Sequence, residues 1–360
     1  MTFRERLTKY KAQREIKLRG GLNCIPFSEF LPELSLFMPG IIKGVYYAIT
    51  AFTNVGKTPL VKSLFVNIPY YYYKVLQNTP NRFKLKILYF CLEETKDQFI
   101  DSLVLSELYS RYNISLDIND LNSISAPIDT ETLKKLASFE AYFNEMFEVL
   151  TVIDTVTSTA GIMDVIKRYA YSNGTVYNDE GEEAELDEQG AYYVPNDPSE
   201  HVIIITDHVN ILSVEGQNDS LHKAIHRHST KNMLHKCIRM FNYTVVDVHQ
   251  QAAEGESAEY NKFNRNECSL TTLGDNKMVA RNYMVVIALD MPQRYGVTEH
   301  AGYKLGEFGN RADRYRSIKL LKNRYGRSGI RKGVWFTPQA MEFQELPNSK
   351  LIDYKQYGTQ

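Results

Sequence analysis

Ala51-Phe52-Thr53-Asn54-Val55-Gly56-Lys57-Thr58 decides the reading of this chain. The apolar run Gly44-Val45-Tyr46-Tyr47-Ala48-Ile49-Thr50 before it reads as a buried strand, and Pro59-Leu60-Val61-Lys62-Ser63-Leu64-Phe65-Val66 after it reads as a helix. Strand, tight loop ending Gly-Lys-Thr, then helix is the architecture of a phosphate-binding P-loop. Successive backbone N–H groups and the positive end of the helix wrap a polyphosphate. Asn54, Val55, Gly56, Lys57, Thr58 and Pro59 therefore form the expected nucleotide cradle. Lys57 is expected to reach the β- and γ-phosphates and the Thr58 hydroxyl to ligate Mg²⁺. Pro59 fits, because a proline early in a helix removes only an N–H without an intrahelical partner. Ala51 stands where the general pattern has glycine.

Two strands downstream end in carboxylates. Lys84 to Glu94 reads as a strand closing in Glu93-Glu94, followed by a helix from Thr95 to Tyr109. Ligands of open α/β sheets bind at the carboxyl ends of strands. Either glutamate there is a candidate base for the water that attacks a γ-phosphate; the alternative is a surface pair capping the helix. His201-Val202-Ile203-Ile204-Ile205-Thr206-Asp207 is the most apolar strand of the chain. Its closing Asp207 has the Walker B position, holding Mg²⁺, or else caps the next helix. A further strand, Tyr243 to Gln251, ends in amides, and Gln250 is placed to sense a γ-phosphate and pass its state to the long polar loop Ala252 to Leu270.

Composition sets wider bounds. The 360 residues fit one large α/β domain with insertions. The net charge of −1 leaves any polyanion binding to local patches. The 4 cysteines are scattered without a CxxC pair, which argues for a reducing compartment without disulfides or structural zinc. No apolar run approaches the roughly 18 residues of a membrane span, and the N-terminus is charged rather than signal-like. A cytoplasmic protein is expected.

Residues 1–21 are basic, with a thin apolar stripe (Leu7, Tyr10, Ile16, Leu18) and Gly20-Gly21 at the end. They read as a short helix: a solvated tail, or an arm that docks on a neighbouring subunit or touches nucleic acid. Tyr70 to Tyr73 reads as core packing. Ala137 to Phe147 and Ile162 to Tyr171 read as helices around a strand Glu148 to Asp154. Residues 173–200 are acidic without Lys or Arg and form an expected insertion, a loop or hairpin facing away from DNA. Leu221 to Phe241 is an expected helix whose His222, His226, His228 and His235 match no zinc spacing and mark a solvated or nucleic-acid-facing side. Asn282 to Leu289, Arg316 to Leu321 and Val334 to Phe336 are expected strands, with Arg294 to Asp313 as loop. A basic run spans Arg311 to Lys332.

Taken in order, five of these pieces resemble the RecA-like ATPase domain of DnaB-type hexameric replicative helicases, especially phage-encoded ones. Ala51 to Thr58 is similar to that family's P-loop, which also commonly opens with Ala. Phe90-Cys91-Leu92-Glu93 resembles its Ser-Leu-Glu strand end and singles out Glu93 as the base. Ile205 to Asn210 resembles its Walker B segment, and Val245 to Gln250 its strand ending Ser-Gln, with His249 in place of serine. Lys322-Asn323-Arg324-Tyr325-Gly326-Arg327-Ser328-Gly329 resembles its Lys-x-Arg-x-Gly-x-x-Gly, where Lys and Arg reach the neighbouring subunit's nucleotide.

The resemblance implies a RecA-like P-loop NTPase core over residues 22–345, a C-terminal tail 346–360, and ATP with Mg²⁺. It implies an ATP-dependent helicase of DNA replication, a hexameric ring on single-stranded DNA, with a primase or a loader as further partners. Lys57, Glu93, Gln250, Lys322 and Arg324 become the expected catalytic set. Gly274, Asn276, Lys277 and Arg281 lie in the segment that loosely follows the family's DNA-contacting loop. The N-terminal domain that usually precedes this ATPase has no counterpart before the first strand, which fits a phage-like origin. The alternatives are a RecA- or KaiC-like ATPase forming filaments or rings without unwinding, and a nucleotide-gated loader or scaffold.

Overall fold

The apolar run after Gly44 is strand β1 (Tyr46–Ala51), buried at every position. Strands covered on both faces carry such continuous apolar runs, because helices pack on either side of the sheet. The computed structural model describes residues 2–18, 22–124, 126–216, 219–257, 259, 266–273 and 277–358. Among these, β1 is joined in one sheet by β2 (Leu85–Cys91), β3 (Leu150–Ile153), β4 (His201–Asp207), β5 (Thr244–Gln250), β6 (Val285–Asp290), β7 (Tyr315–Asn323), β8 (Arg331–Thr337) and β9 (Glu342–Glu345).

The spatial order is β9-β8-β7-β6-β1-β5-β4-β2-β3. Strands β6, β1, β5, β4, β2 and β3 run parallel, and β7, β8 and β9 extend the sheet antiparallel. The registers Ala51↔Gln250 and Cys91↔Asp207 align the carboxyl ends of four central strands on one edge. That edge holds the P-loop.

Helix α1 (Phe3–Leu18) is exposed along its whole length. Helix α2 (Lys57–Lys62) widens into a π-type turn, Ser63–Asn67, and continues as α3 (Ile68–Leu76). Its Leu60, Val61 and Phe65 join Ile49, Val248 and Ile287 in the core on one face of the sheet. Of the expected core-packing run Tyr70 to Tyr73, Tyr70 and Tyr72 are buried in this core and Tyr73 partly so, whereas Tyr71 is exposed. Helix α4 (Lys96–Tyr112) starts at Thr95 with a capping box that includes Gln98. On the other face, α5 (Thr159–Ser172) and the helical stretch after Leu221 cover Ala48, Ile204 and Val245.

Several expected elements differ. Ala137 to Phe147 is split between Thr130–Ala137 and Glu140–Val149, because the chain breaks at Ser138 and restarts on the buried Phe143 and Met146. The histidine-bearing helix is α-helical only over Leu221–Arg227 and then takes wider turns over His228–Met240. His228 is fully buried, one helical turn beyond the buried Ala224 and Ile225, so it does not share the exposed side of His222, His226 and His235.

Arg294 to Asp313 is not mere loop. Glu299–His300 pairs with Tyr303–Lys304, and Leu305–Arg314 forms 3₁₀ turns. Phe308 packs there on Trp335 at 5.2 Å and on Tyr354 at 4.9 Å. Tyr295, Tyr303, Leu305 and Phe308 follow neither a helix nor a strand period, which hid this packing from a periodicity argument. The last expected strand is longer, Arg331–Thr337, and Glu342–Glu345 comes after it. The acidic insertion contains a hairpin, Gly174–Tyr177 with Tyr192–Pro195, whose Val176 and Tyr193 are buried.

Candidate active site

The P-loop leaves β1 at Ala51 and turns through two left-handed positions, Asn54 (φ 58°) and Gly56 (φ 111°). Left-handed backbone suits glycine, and asparagine more than most residues. Helix α2 then begins at Lys57, two residues earlier than its Pro59 suggests, with Gly56 as its cap. Lys57 and Thr58 thus occupy the first helical turn, where backbone N–H groups lack intrahelical partners. Thr53, Asn54, Gly56, Lys57, Thr58 and Pro59 line a cleft of about 390 Å³, together with Glu93, Glu94 and Asp207. Val55 is buried beneath the loop rather than on the cleft wall.

Asp207 closes β4 inside this cleft and is buried. Its Oδ2 accepts the Tyr89 hydroxyl at 2.6 Å. Its Oδ1 is buried without a protein donor. A buried carboxylate oxygen costs free energy unless something pairs with it. An oxygen left open in a cleft that Thr58 also lines fits a hard divalent cation such as Mg²⁺. Burial pulls the Lys57 ammonium below its usual range, and the charges of Asp207 and Glu93 act against that shift.

Glu93 lies two residues beyond β2, and its carboxylate is 61% exposed in the cleft. The His208 Nε2 stands 3.4 Å from it. Burial holds the His208 ring below its ordinary pKa, opposed by Glu93. Glu94 is engaged elsewhere: Lys62 Nζ lies 2.7 Å from its carboxylate. Lys62 is buried, donates to Ser102 at 2.8 Å and sits 4.1 Å from the centre of the Phe99 ring. Among the described residues, Glu93 is the one of the two whose carboxylate makes no ion pair with a lysine.

Gln250 ends β5 beside the P-loop. Its side-chain amide donates to the Thr53 hydroxyl at 2.5 Å, and its backbone N–H donates to Asn210 at 2.9 Å. The next residue, Gln251, donates to Thr50 at 2.8 Å and to the Ser269 carbonyl at 3.2 Å. Ala252 N–H donates to the Thr272 carbonyl at 2.8 Å. The strand end is thereby tied both to the P-loop and to residues 269–273.

Lys322 and Arg324 are not at this cleft. Val285 pairs with Tyr47 on one side and with Asn323 on the other. Both cations therefore sit where β1 begins, at the sheet edge opposite the P-loop. Lys322 donates to the Ala280 carbonyl at 2.8 Å, and Arg324 to the Arg281 carbonyl at 3.2 Å. Arg281 is exposed at the end of the turn Lys277–Arg281. Gly274 and Asn276 lie outside the described residues, as does the side chain of Lys277.

Four residues of the site carry no signal that the motifs expose. Arg316 donates from Nε to the Val55 carbonyl at 2.8 Å, and Arg294 donates to the Thr53 carbonyl at 2.5 Å. Both hold the P-loop backbone from distant segments. Lys62 and His208 order the two glutamates. The described residues contain no cluster of His, Cys, Asp and Glu able to hold a metal by themselves. No described helix is long and apolar enough to cross a membrane.

No protein-family model matches the chain, and no curated protein matches it. Among solved structures, the ATPase domain of G40P is similar with a TM-score of 0.66 at 16% identity, over 96% of this chain and 99% of that one. A DnaB-like replicative helicase, solved in a study that included its interactions with primase, is similar with a TM-score of 0.65 at 16% identity, over 96% of this chain and 67% of that one. The KaiC-like protein PH0186 from Pyrococcus horikoshii OT3 aligns with a TM-score of 0.44 at 13% identity, over 90% of this chain and 97% of that one. The chain shares the RecA-like fold of the G40P ATPase domain and the DnaB-like helicase, a mostly parallel sheet flanked by helices with a P-loop at the carboxyl edge.

Proposed function

We propose that this chain is the ATP-hydrolysing motor of a DNA helicase, a ring of six subunits that translocates on single-stranded DNA during replication. One observation carries the reading. Lys57, Thr58, Glu93 and Asp207 line a single cleft while Gln250 touches the loop that bounds it.

ATP is the substrate of this reading. Backbone N–H groups of the loop from Asn54 to Thr58 would face its phosphates, and Lys57 would pair with the β- and γ-oxygens. Thr58 and the open Asp207 Oδ1 would hold Mg²⁺, which offsets the charge of the phosphates when bound. Glu93 would orient the attacking water and take its proton, with His208 fixing the carboxylate. Arg324 and Lys322 would act on the nucleotide of the adjacent subunit; their position on the far sheet edge supports a role in trans. An arginine finger of this kind is worth about 10³–10⁵ in rate in other phosphoryl-transfer enzymes.

Gln250 would pass the state of the γ-phosphate through Gln251 to residues 269–273 and on to the segment holding Gly274, Asn276, Lys277 and Arg281. Those residues would grip successive phosphates of the strand, giving steep salt dependence. In this reading residues 22–345 are the ATPase domain, 1–21 an arm that packs on the next subunit, and 346–360 a tail. The acidic insertion 173–200 stands outside the machinery. The cytoplasm of a bacterial or phage-infected cell is the proposed location, and a primase or loader the first partners to test, by likeness to the DnaB-like helicase.

The test is ATP hydrolysis with and without single-stranded DNA, unwinding of a forked duplex, and electron microscopy with a slowly hydrolysed ATP analogue. Six-membered rings, DNA-stimulated hydrolysis and unwinding are expected. Filaments coating the strand would replace this reading with a recombinase-like one. Nucleotide binding without turnover would replace it with a loader or scaffold.

A further inference from the structure

Arg316 is buried next to the P-loop, on strand β7. Its Nε donates to the Val55 carbonyl at 2.8 Å, and its NH1 donates to the carbonyls of Asp313 and Tyr315. The guanidinium lies 5.3 Å from the centre of the Phe336 ring. Phe336 in turn borders Gly56: a Cβ there would meet its ring at 3.5 Å. The same two strands thus shape both the floor of the loop and the place of the cation.

No carboxylate forms an ion pair with Arg316 among the described residues, whereas Arg331, on the next strand, pairs with Glu267. Burial lowers the Arg316 pKa to about 10, with Asp313 acting the other way. The group stays charged at neutral pH. Burying a cation on carbonyls and a ring face is costly, and a shape-matched apolar residue would often be as stable. A charge kept there calls for an opposing charge. The cleft on the other side of the Val55–Gly56 peptide is built to receive a polyphosphate.

The hydrogen bond has a geometric consequence as well. In a trans peptide the C=O and the following N–H point in opposite directions. A Val55 carbonyl turned to Arg316 leaves the Gly56 N–H turned away from it. That is the orientation a phosphate cradle needs.

We propose that Arg316 is a positioning residue for the nucleotide: it fixes the Val55–Gly56 peptide and supplies a cation that the polyphosphate neutralises. The inference rests on the P-loop reading of the cleft, and it assigns to the strand behind the loop a share in holding the phosphates.

The test compares full-length wild type with Arg316→Lys, Arg316→Gln and Arg316→Met. The readouts are MgATP and MgADP affinity by calorimetry, turnover at saturating ATP, and thermal unfolding. Gln and Met are expected to fold and to bind MgATP at least about tenfold more weakly, the range of one charge-assisted hydrogen bond. Lys keeps the charge without the fork and is expected to lose about threefold, with turnover at saturation unchanged. Wild-type affinity in a folded Gln variant overturns the proposal, as does a Lys variant as weak as Gln. Should Gln and Met fail to fold, a Lys variant with full wild-type affinity overturns it. Wild-type protein that binds no MgATP instead removes the P-loop reading itself.

Discussion

The side-chain amide of Gln250 donates to the Thr53 hydroxyl at 2.5 Å, which joins the end of β5 to the P-loop across 197 positions of sequence. The Thr53 carbonyl is held as well, by Arg294, whose guanidinium also lies 3.4 Å from Glu256. Thr53 is therefore a node between the P-loop cleft and the segment after β5.

Breaking that node should uncouple rather than inactivate. Thr53→Val removes one hydrogen bond and leaves the loop backbone, so basal hydrolysis should stay within about threefold, the effect of a bond at the low end of ~0.5–1.5 kcal/mol. Stimulation by single-stranded DNA should fall about five- to tenfold. Gln250→Ala should cost the same, and the double variant no more, since both break one contact. Steady-state ATPase assays with and without an oligonucleotide check this; additive losses would show that the two residues act separately.

The two adjacent glutamates should respond in opposite ways. Glu93→Gln keeps the cleft and removes the proton acceptor, so turnover should fall about 10²–10⁴-fold with nucleotide affinity nearly intact. Glu94→Gln strips the buried Lys62 of its counter-charge, and the fold should lose ~1–3 kcal/mol, read as a lower denaturant midpoint. A Glu94 variant that is stable but inactive would exchange the roles.

His201 sets an acid limit. Burial lowers its pKa from 6.5 to about 3, and the nearby Lys43 charge acts in the same direction. The ring is packed at the start of β4, with Nε2 2.8 Å from the Thr244 hydroxyl. The unfolded chain binds a proton below pH 6.5 that the folded chain refuses. Stability from this group is thus complete above pH 6.5 and drains as pH falls toward 3. The slope is roughly 1 kcal/mol per pH unit. Unfolding midpoints between about pH 7 and pH 5 should fall in the wild type and fall less in His201→Gln. Parallel curves would show that other groups carry the acid sensitivity.

How far the sequence was readable depends on the range of each interaction. The P-loop is one contiguous segment whose geometry depends on Gly56, Lys57 and their flanks, so it was legible. Asp207 was legible because its strand is apolar without interruption. Glu93 needed its family resemblance, since the lysine that occupies Glu94 sits on another element. The hold of Arg316 and Arg294 on the P-loop leaves no trace in the sequence for a clearer reason. Each grips a backbone carbonyl, 261 and 241 positions away, and a carbonyl leaves no residue-type signature. His228 falls on the other face from His222, His226 and His235 because it shares the helical face of the buried Ala224 and Ile225. It ends in the core, 3.2 Å from the buried Asp247. Phe308 organises a segment whose apolar residues follow no helix or strand period.

The separation of Arg324 from its own P-loop makes the strongest prediction about assembly. Val285 faces Tyr47 in β1 and Asn323 in β7, so Arg324 starts from the end of β1 opposite Ala51. Four residues of strand separate Tyr47 from Ala51, about 13 Å at the rise of an extended chain. The site of one subunit cannot be completed by its own Arg324 without refolding the sheet. Arg324→Ala should therefore bind MgATP normally and hydrolyse it at least about 10³-fold more slowly. Glu93→Gln should be similarly inactive for a different reason. Mixed after dissociation and reassembly, the two inactive proteins form some interfaces with an intact cleft on one side and an intact Arg324 on the other. Random mixing in a closed ring makes roughly one quarter of the interfaces whole. Recovered ATPase near that fraction, absent from either protein alone, is the expected result. Full activity in Arg324→Ala, or no recovery from rings shown to have exchanged subunits, would mean that the arginine completes no neighbouring site.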